Sequence, residues 1–153
     1  KKAHCVYKKG QDRHHGLWSL RQHPNITMWE AQSQLKQLLY ALKEDGALGL
    51  VSDHGQGITV PFFEQAINLP LGAFKLAARS KRGVYFLWAQ SLGTRYRMHT
   101  VPLVQPGEKA SYDVIAHAYV KALMNAIKVA PEQYYWRVDP WRQFQPHSVE
   151  QQT

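Results

Sequence analysis

Apolar positions along this chain repeat at two distinct periods, and the alternation of those periods outlines the fold. Ala47–Val51 is a short continuous apolar run between turn signals, the signature of a strand buried on both faces. Ahead of it, Met28–Lys43 carries Ala31, Leu35, Leu38, Leu39 and Leu42 at helical spacing, with Thr27 and Glu30 placed as a capping box. Leu71–Lys81 reads as a second helix with Phe74, Ala77 and Ala78 inward, cations at its end and Gly83 as its stop. Val84–Ala89 is a second apolar run with the look of a buried strand. After a turn at Gly93, Arg95–Val101 alternates Tyr96, Met98 and Thr100 with Arg95, Arg97 and His99, as a half-exposed antiparallel strand does. A loop from Pro102 to Lys109 precedes a last helix, capped by Ser111 or Asp113 and running to Val129, where Ala130-Pro131 breaks it. With a short strand over residues 4–8 at the front, the order is β-α-β-α-β-β-α. That predicts an α/β fold: a mixed, mostly parallel sheet with helices packed on it, an αβ sandwich in one domain over 1–153.

The segment after Val51 is where chemistry concentrates. Ser52, Asp53 and His54 are followed by Gly55 and Gly57, then by Pro61 and the pair Phe62–Phe63. Polar groups at the carboxyl end of a parallel strand, next to a flexible glycine loop, are where open α/β sheets hold ligands. An Asp at a strand end is equally a turn cap, and both readings of Asp53 stand on the sequence.

Composition narrows the partners. The chain has 153 residues, a formal charge of +8 and a pI near 9.7, which favours phosphates, nucleic acid, acidic proteins or an anionic membrane surface. One cysteine, Cys5, excludes an internal disulfide framework and points to a reducing compartment. No apolar run is long enough for a membrane span and no signal peptide is visible. His14-His15-Gly16-Leu17-Trp18 offers a loop histidine as a general base, or simply two exposed histidines. No zinc spacing, P-loop, G-x-S-x-G elbow or G-x-G-x-x-G is present, so no metal site is expected. Lys1, Lys2, Lys8, Lys9, Arg13 and Arg21 flank the first strand, and a βαβ arrangement would bring that strand's end beside the Asp53 loop. The tail Tyr134-Tyr135-Trp136, with Arg137, Trp141 and Arg142, is either an interfacial stacking element or a segment whose rings pack on the sheet.

Several phrases in order resemble the bacterial lysophospholipid acyltransferase superfamily, in particular its lipid A late acyltransferase branch. Val6-Tyr7-Lys8-Lys9 resembles the family's Val-Tyr-Arg-Pro element, and the stretch from Leu35 to Gly46 its Ala-Leu-Lys-x-Gly helix end. Val51-Ser52-Asp53-His54 is similar to its Pro-Asp-Gln or Pro-Asp-His element, and Val60-Pro61-Phe62-Phe63 to the family's next phrase, Val-Pro-Phe-Phe. Leu76-Ala77-Ala78-Arg79 and Pro131-Glu132-Gln133-Tyr134-Tyr135-Trp136 complete the set, which spans Val6 to Pro146. Departures are Lys8 in place of arginine, a shorter loop after Asp53, and Arg142-Gln143-Phe144-Gln145 in place of Arg-Arg-Phe-Lys.

The resemblance implies transfer of a fatty acyl chain from a thioester donor to a hydroxyl of a lipid A-type glycolipid or a lysophospholipid. The family's catalytic His-x4-Asp/Glu box precedes the Val-Tyr-Arg-Pro element, so it is expected upstream of Lys1, with the chain a C-terminal portion of the enzyme. His14 mimics the box, with Ser19 in the acid's place. Lys8 would hold an acceptor phosphate, and Asp53 and His54 would order the loop or contact acceptor hydroxyls. Phe62 and Phe63 would line the acyl or acceptor cleft or belong to the core. No bound cofactor is implied. The co-substrate would be acyl-acyl carrier protein or acyl-CoA. The partners would be acyl carrier protein, an anionic glycolipid or phospholipid and a membrane surface, at the cytoplasmic face of the bacterial inner membrane. The competing reading of the basic charge is a non-catalytic module on an anionic membrane or nucleic acid, of which nucleic acid is the less favoured.

Overall fold

The computed structural model describes residues 3–7, 23–30, 38, 46–53, 55–134 and 136, and the chain divides into two compact units, Lys1–Val51 and Ser52–Thr153. Its class is α/β, as the periodicities predict.

The first unit holds a parallel sheet in the order β2-β1-β3, made of β1 (Ala3–Tyr7), β2 (Ile26–Glu30) and β3 (Ala47–Gly49). The central strand pairs Ala3 with Ile26 on one side and with Ala47 on the other. The parallel pairing of the N-terminal strand with the Ala47 segment is therefore as expected. Two details differ. Thr27 and Glu30 lie within β2 and do not cap a helix, because Ile26, Thr27 and Trp29 are better suited to a pleated strand than to a helix start. Of the predicted Met28–Lys43 helix, only Leu38 is described beyond β2, and it is helical and buried. The Ala47–Val51 run is also not buried on both faces: β3 is a three-residue edge strand, and Val51 is 77% exposed. An apolar run does not reveal whether one face or two are covered. Between β1 and β2, the Trp29 indole Nε1–H donates to Nδ1 of buried His4 at 3.0 Å, which places the neutral ring's proton on Nε2.

The second unit is built from two antiparallel ribbons and two helices. Ribbon β4 (Gly57–Phe62) and β5 (Gln65–Pro70) runs directly into α1 (Leu71–Ser80). Ribbon β6 (Val84–Ser91) and β7 (Tyr96–Val104) is followed by α2 (Tyr112–Val129) and a 3₁₀ turn, Pro131–Gln133. The first ribbon falls where a glycine loop was expected. Its two-residue turn carries Phe63 at φ 52°, a left-handed position where glycine is usual, so the common turn signals are missing. Helix α1 ends at Lys81, itself left-handed at φ 54°, before Gly83 is reached. Strand β7 continues through Pro102 to Val104, beyond the predicted end, because a register shift leaves Leu103 unpaired and a bulge tolerates proline. Ser111 is the cap of α2, its Oγ accepting from Val114 N at 3.3 Å.

One core serves this whole unit. Val60, Phe62, Ile67 and Leu69 from the first ribbon meet Phe74 of α1, Phe86 and Val104 of the second ribbon, and Ile115, Val120, Leu123 and Ile127 of α2. Among the described residues, strand β6 is covered on this side alone, so Phe86 is buried while Tyr85 and Leu87 are exposed, unlike the two-sided burial its composition suggests. No helix among the described residues is long and apolar enough to cross a membrane.

The adjacent phenylalanines at the first turn thus have opposite fates. Phe62→Ala should cost about 3–5 kcal/mol of stability, the scale for emptying a buried phenyl site. Phe63→Gly should be neutral or stabilising by up to about 1 kcal/mol, because it relieves a left-handed side chain. Urea denaturation of both variants checks the pair, and equal losses would contradict the assignment of Phe62 to the core.

Candidate functional site

Asp53 is half-buried, directly after buried Ser52. The next stretch of chain is close-packed, because Gly55 and Gly57 press against the start of α1. A Cβ on Gly55 would lie 2.8 Å from Pro70 N and Cβ, and one on Gly57 would lie 2.7 Å from Leu71 Cβ. Between them the Gln56 carbonyl accepts from Leu71 N at 3.5 Å, supplying a partner to the first amide of a helix whose cap, Pro70, has no side-chain donor or acceptor. The glycines after Asp53 are thus required for close approach, and the expectation of a flexible loop gives way to a packed one.

Two tyrosines share the electrostatic surroundings of Asp53. Tyr119, on the inner side of α2, sits between Phe74 and Phe86 with edge contacts of 5.6 and 5.3 Å between ring centroids. Burial, then the negative charge of Asp53, then Tyr134 hold its phenol well above the ordinary tyrosine range. Tyr134 comes after the 3₁₀ turn and packs edge-on to Trp136 at 4.9 Å. Burial first and Asp53 second push its phenol up to about 12. Both hydroxyls are therefore neutral donors at physiological pH. A carboxylate with two protonated phenols in its field can accept from and donate to hydroxyl groups of a polar ligand.

The turn that carries Tyr134 is pinned by its neighbour. Ser91 N donates to Gln133 Oε1 at 2.7 Å, and Gln133 Nε2 donates to Ser91 O at 3.0 Å, so one amide side chain clasps the end of β6. Trp136 Nε1 donates to Pro131 O at 2.8 Å and closes the turn from the other side. Tyr134 and Trp136 pack on the core, as one of the two readings of the tail required. Elsewhere in this unit, Trp88 and His99 stack at 4.2 Å with nearly parallel rings, and His99 Nε2 shares a hydrogen bond with Gln90 Oε1 at 3.0 Å. An open cleft of about 350 Å³ between the end of α1 and the loop before α2 is lined by Ala78, Lys81, Glu108, Lys109, Ala110 and Ser111.

Of the residues singled out in the sequence, Asp53, Phe62 and Phe63 are described, and Lys8, His14 and His54 lie outside the described residues. Phe62 is a core residue, whereas Phe63 is exposed at the turn, with Lys128 Nζ 6.0 Å from its ring centre. Tyr119 and Gln133 were not foreseen as partners of anything. Tyr119 looks like one more apolar position of a helix, and nothing local to the sequence ties residue 133 to residue 91. Among the described residues, no three His, Cys, Asp or Glu side chains converge as metal ligands would.

The shared field of Asp53 and Tyr134 is open to direct titration. In alkaline absorbance titration near 295 nm, Asp53→Asn should move the Tyr134 midpoint down from about 12, yet not to the ordinary value, because burial is the larger cause and remains. A midpoint unchanged by the substitution would separate the two groups.

A search of characterised proteins returned no match. Among protein families, the model described as bacterial lipid A biosynthesis acyltransferase matches residues 6–143, which takes in both units, the Asp53 segment and the turn that bears Tyr134. The chain belongs to the bacterial lipid A biosynthesis acyltransferase family.

Proposed function

We propose that this protein takes part in moving a fatty acyl chain from a thioester donor to a hydroxyl of an anionic, lipid A-type glycolipid. The observation that carries the proposal is the family match across 6–143, with Asp53 set beside two protonated phenols inside that span.

The reaction fixes what the site has to provide. The acceptor oxygen attacks the thioester carbonyl carbon, a C–O bond forms and the C–S bond breaks. The hydroxyl proton passes to a general base, and the thiol leaves with a proton returned to it. A histidine oriented by a carboxylate would serve as that base, and hydrogen-bond donors would stabilise the tetrahedral oxyanion. Asp53 has a different task in this scheme. Its carboxylate accepts hydrogen bonds from acceptor hydroxyls, while Tyr119 and Tyr134 confine it and supply neutral donors. Lys8 holds an acceptor phosphate as a point charge, without the paired donors of arginine. His54, next to Asp53 in sequence, would contact the same acceptor. The donor would be acyl-acyl carrier protein or acyl-CoA. The carrier protein and the glycolipid are both anionic, which suits a chain of +8. Such an acceptor would be met at the cytoplasmic face of the bacterial inner membrane.

Acyl transfer in the intact enzyme, with a long-chain acyl thioester and a phosphorylated glucosamine lipid, tests this reading. Asp53→Asn keeps the shape and removes the charge, and kcat should fall by at least about tenfold with the thermal midpoint retained. Asn caps a turn nearly as well as Asp, so a merely structural Asp53 would leave turnover intact.

Lys8→Ala should weaken acceptor binding by about 1.5–3 kcal/mol, the worth of a hydrogen bond to a charged group. The donor KM should be unchanged. Full activity in the Asp53 variant, together with unaltered acceptor affinity in the Lys8 variant, would remove both residues from the site.

A further inference from the structure

Gln133 lies on the surface, yet both its N–H groups and its carbonyl are engaged. Besides the two bonds it exchanges with Ser91, 42 residues away in the chain, its Nε2 donates to Glu132 Oε1 at 3.2 Å. An exposed glutamine gives up rotamer freedom to be held in this way, and it adds nothing to the core in return. What it gains is the placement of the turn.

Bonds within the turn give it its shape. Gln133 N donates to Ala130 O at 3.0 Å and Tyr134 N to Pro131 O at 3.4 Å, while the Trp136 indole closes on the same Pro131 carbonyl. The Ser91 pair then fixes that shape against β6. This strand is a firm reference, because Phe86 anchors it in the core and meets the Tyr119 ring edge-on at 5.3 Å. Both phenols near Asp53 are thus placed from one strand. Tyr119 is set by α2 and its packing on Phe86, and Tyr134 by the residue before it. Consecutive Cα atoms are about 3.8 Å apart, so a displaced Gln133 carries Tyr134 with it and leaves Tyr119 where it is.

We infer that Gln133 is a positioning residue for acyl transfer: its grip on Ser91 keeps the Tyr134 hydroxyl at Asp53, where it donates to the acceptor. The effect on turnover rests on the acyl-transfer reading, whereas the hold on Tyr134 rests on the hydrogen bonds and the packing of the turn.

Two measurements on the intact enzyme test this. The first is the titration of Tyr134, followed by NMR of ring-labelled tyrosine and assigned with Tyr134→Phe. Gln133→Ala should move its midpoint from about 12 toward the ordinary tyrosine value, as the ring loses burial and leaves the field of Asp53. Tyr119 should stay protonated over the same range, which a general loosening of the core would not allow. Gln133→Met keeps nearly the same stem without either bond to Ser91; it should act alike and serves if the alanine variant folds poorly.

The second is a double-mutant cycle on kcat at saturating donor. Tyr134→Phe and Gln133→Ala should each lower kcat by about three- to tenfold, the scale of one hydrogen bond between neutral groups. The double variant should lose no more than Tyr134→Phe alone, because Gln133 then has no hydroxyl left to place. An unmoved Tyr134 midpoint, a Tyr119 that ionises along with Tyr134, or losses that multiply in the double variant would each overturn the inference. Full turnover in Asp53→Asn, beside a lowered Tyr134 midpoint in Gln133→Ala, would defeat the acyl-transfer reading and leave the hold on Tyr134 standing. The expected loss in Asp53→Asn, with multiplied losses in the cycle, would defeat the positioning role alone.

Discussion

A two-stranded β-ribbon does not hold together in water by itself, and the larger unit contains two of them. Its structure therefore depends on α2, whose apolar stripe is wide enough to serve both. Ile115, Ala116, Val120, Leu123, Ala126 and Ile127 are all buried. They lie in one cluster with Val60 and Leu69 of the first ribbon and with Phe86 and Val104 of the second. Each large aliphatic side chain contributes about 1.5–3 kcal/mol relative to exposure. No ribbon contains enough of these to order itself, but the helix supplies the missing face to each in turn.

The electrostatics around Asp53 derive from the same packing. Tyr119 belongs to the stripe of α2, and its phenol stays protonated chiefly because Phe74, Phe86 and the helix remove it from water. Tyr134 comes to the core because α2 stops at Ala130 and the 3₁₀ turn folds the chain back. The close approach of Gly55 and Gly57 to Pro70 and Leu71 fixes the far side of the Asp53 segment. A change in the core would thus alter the surroundings of Asp53 without touching it, through the burial of its two phenol neighbours.

The parts of this arrangement that the sequence displays are those specified locally. Helices α1 and α2, the Ser111 cap and the β6–β7 hairpin each rest on residues a few positions apart. The first ribbon escaped notice because its turn is Phe63-Glu64, with a strained aromatic in place of the usual Gly, Asn or Asp. Strand β2 was hidden by an accidental capping box at Thr27 and Glu30. The glycines after Asp53 announce an unusual backbone, but only their neighbours across the fold distinguish close packing from flexibility. Tyr119, Tyr134 and Asp53 come from three separate stretches, so their shared field is a tertiary fact. The position of Asp53 was legible as a place of interest, whereas its surroundings were not.

Gln133 has a consequence of its own. A primary amide offers an N–H donor beside a carbonyl acceptor, on the pattern of a peptide unit, and Ser91 engages both, while the second N–H of Gln133 donates to Glu132 Oε1 at 3.2 Å. The side chain thus acts as one residue of an additional strand, laid along the end of β6. Asparagine has the same two groups on a shorter stem, and glutamate has the length but two acceptors, one of which would face the Ser91 carbonyl. Glutamine alone among the coded side chains meets both conditions. By occupying those backbone groups it also denies them to any foreign strand, so the turn after α2 serves as a guard against edge-to-edge aggregation at the end of the ribbon.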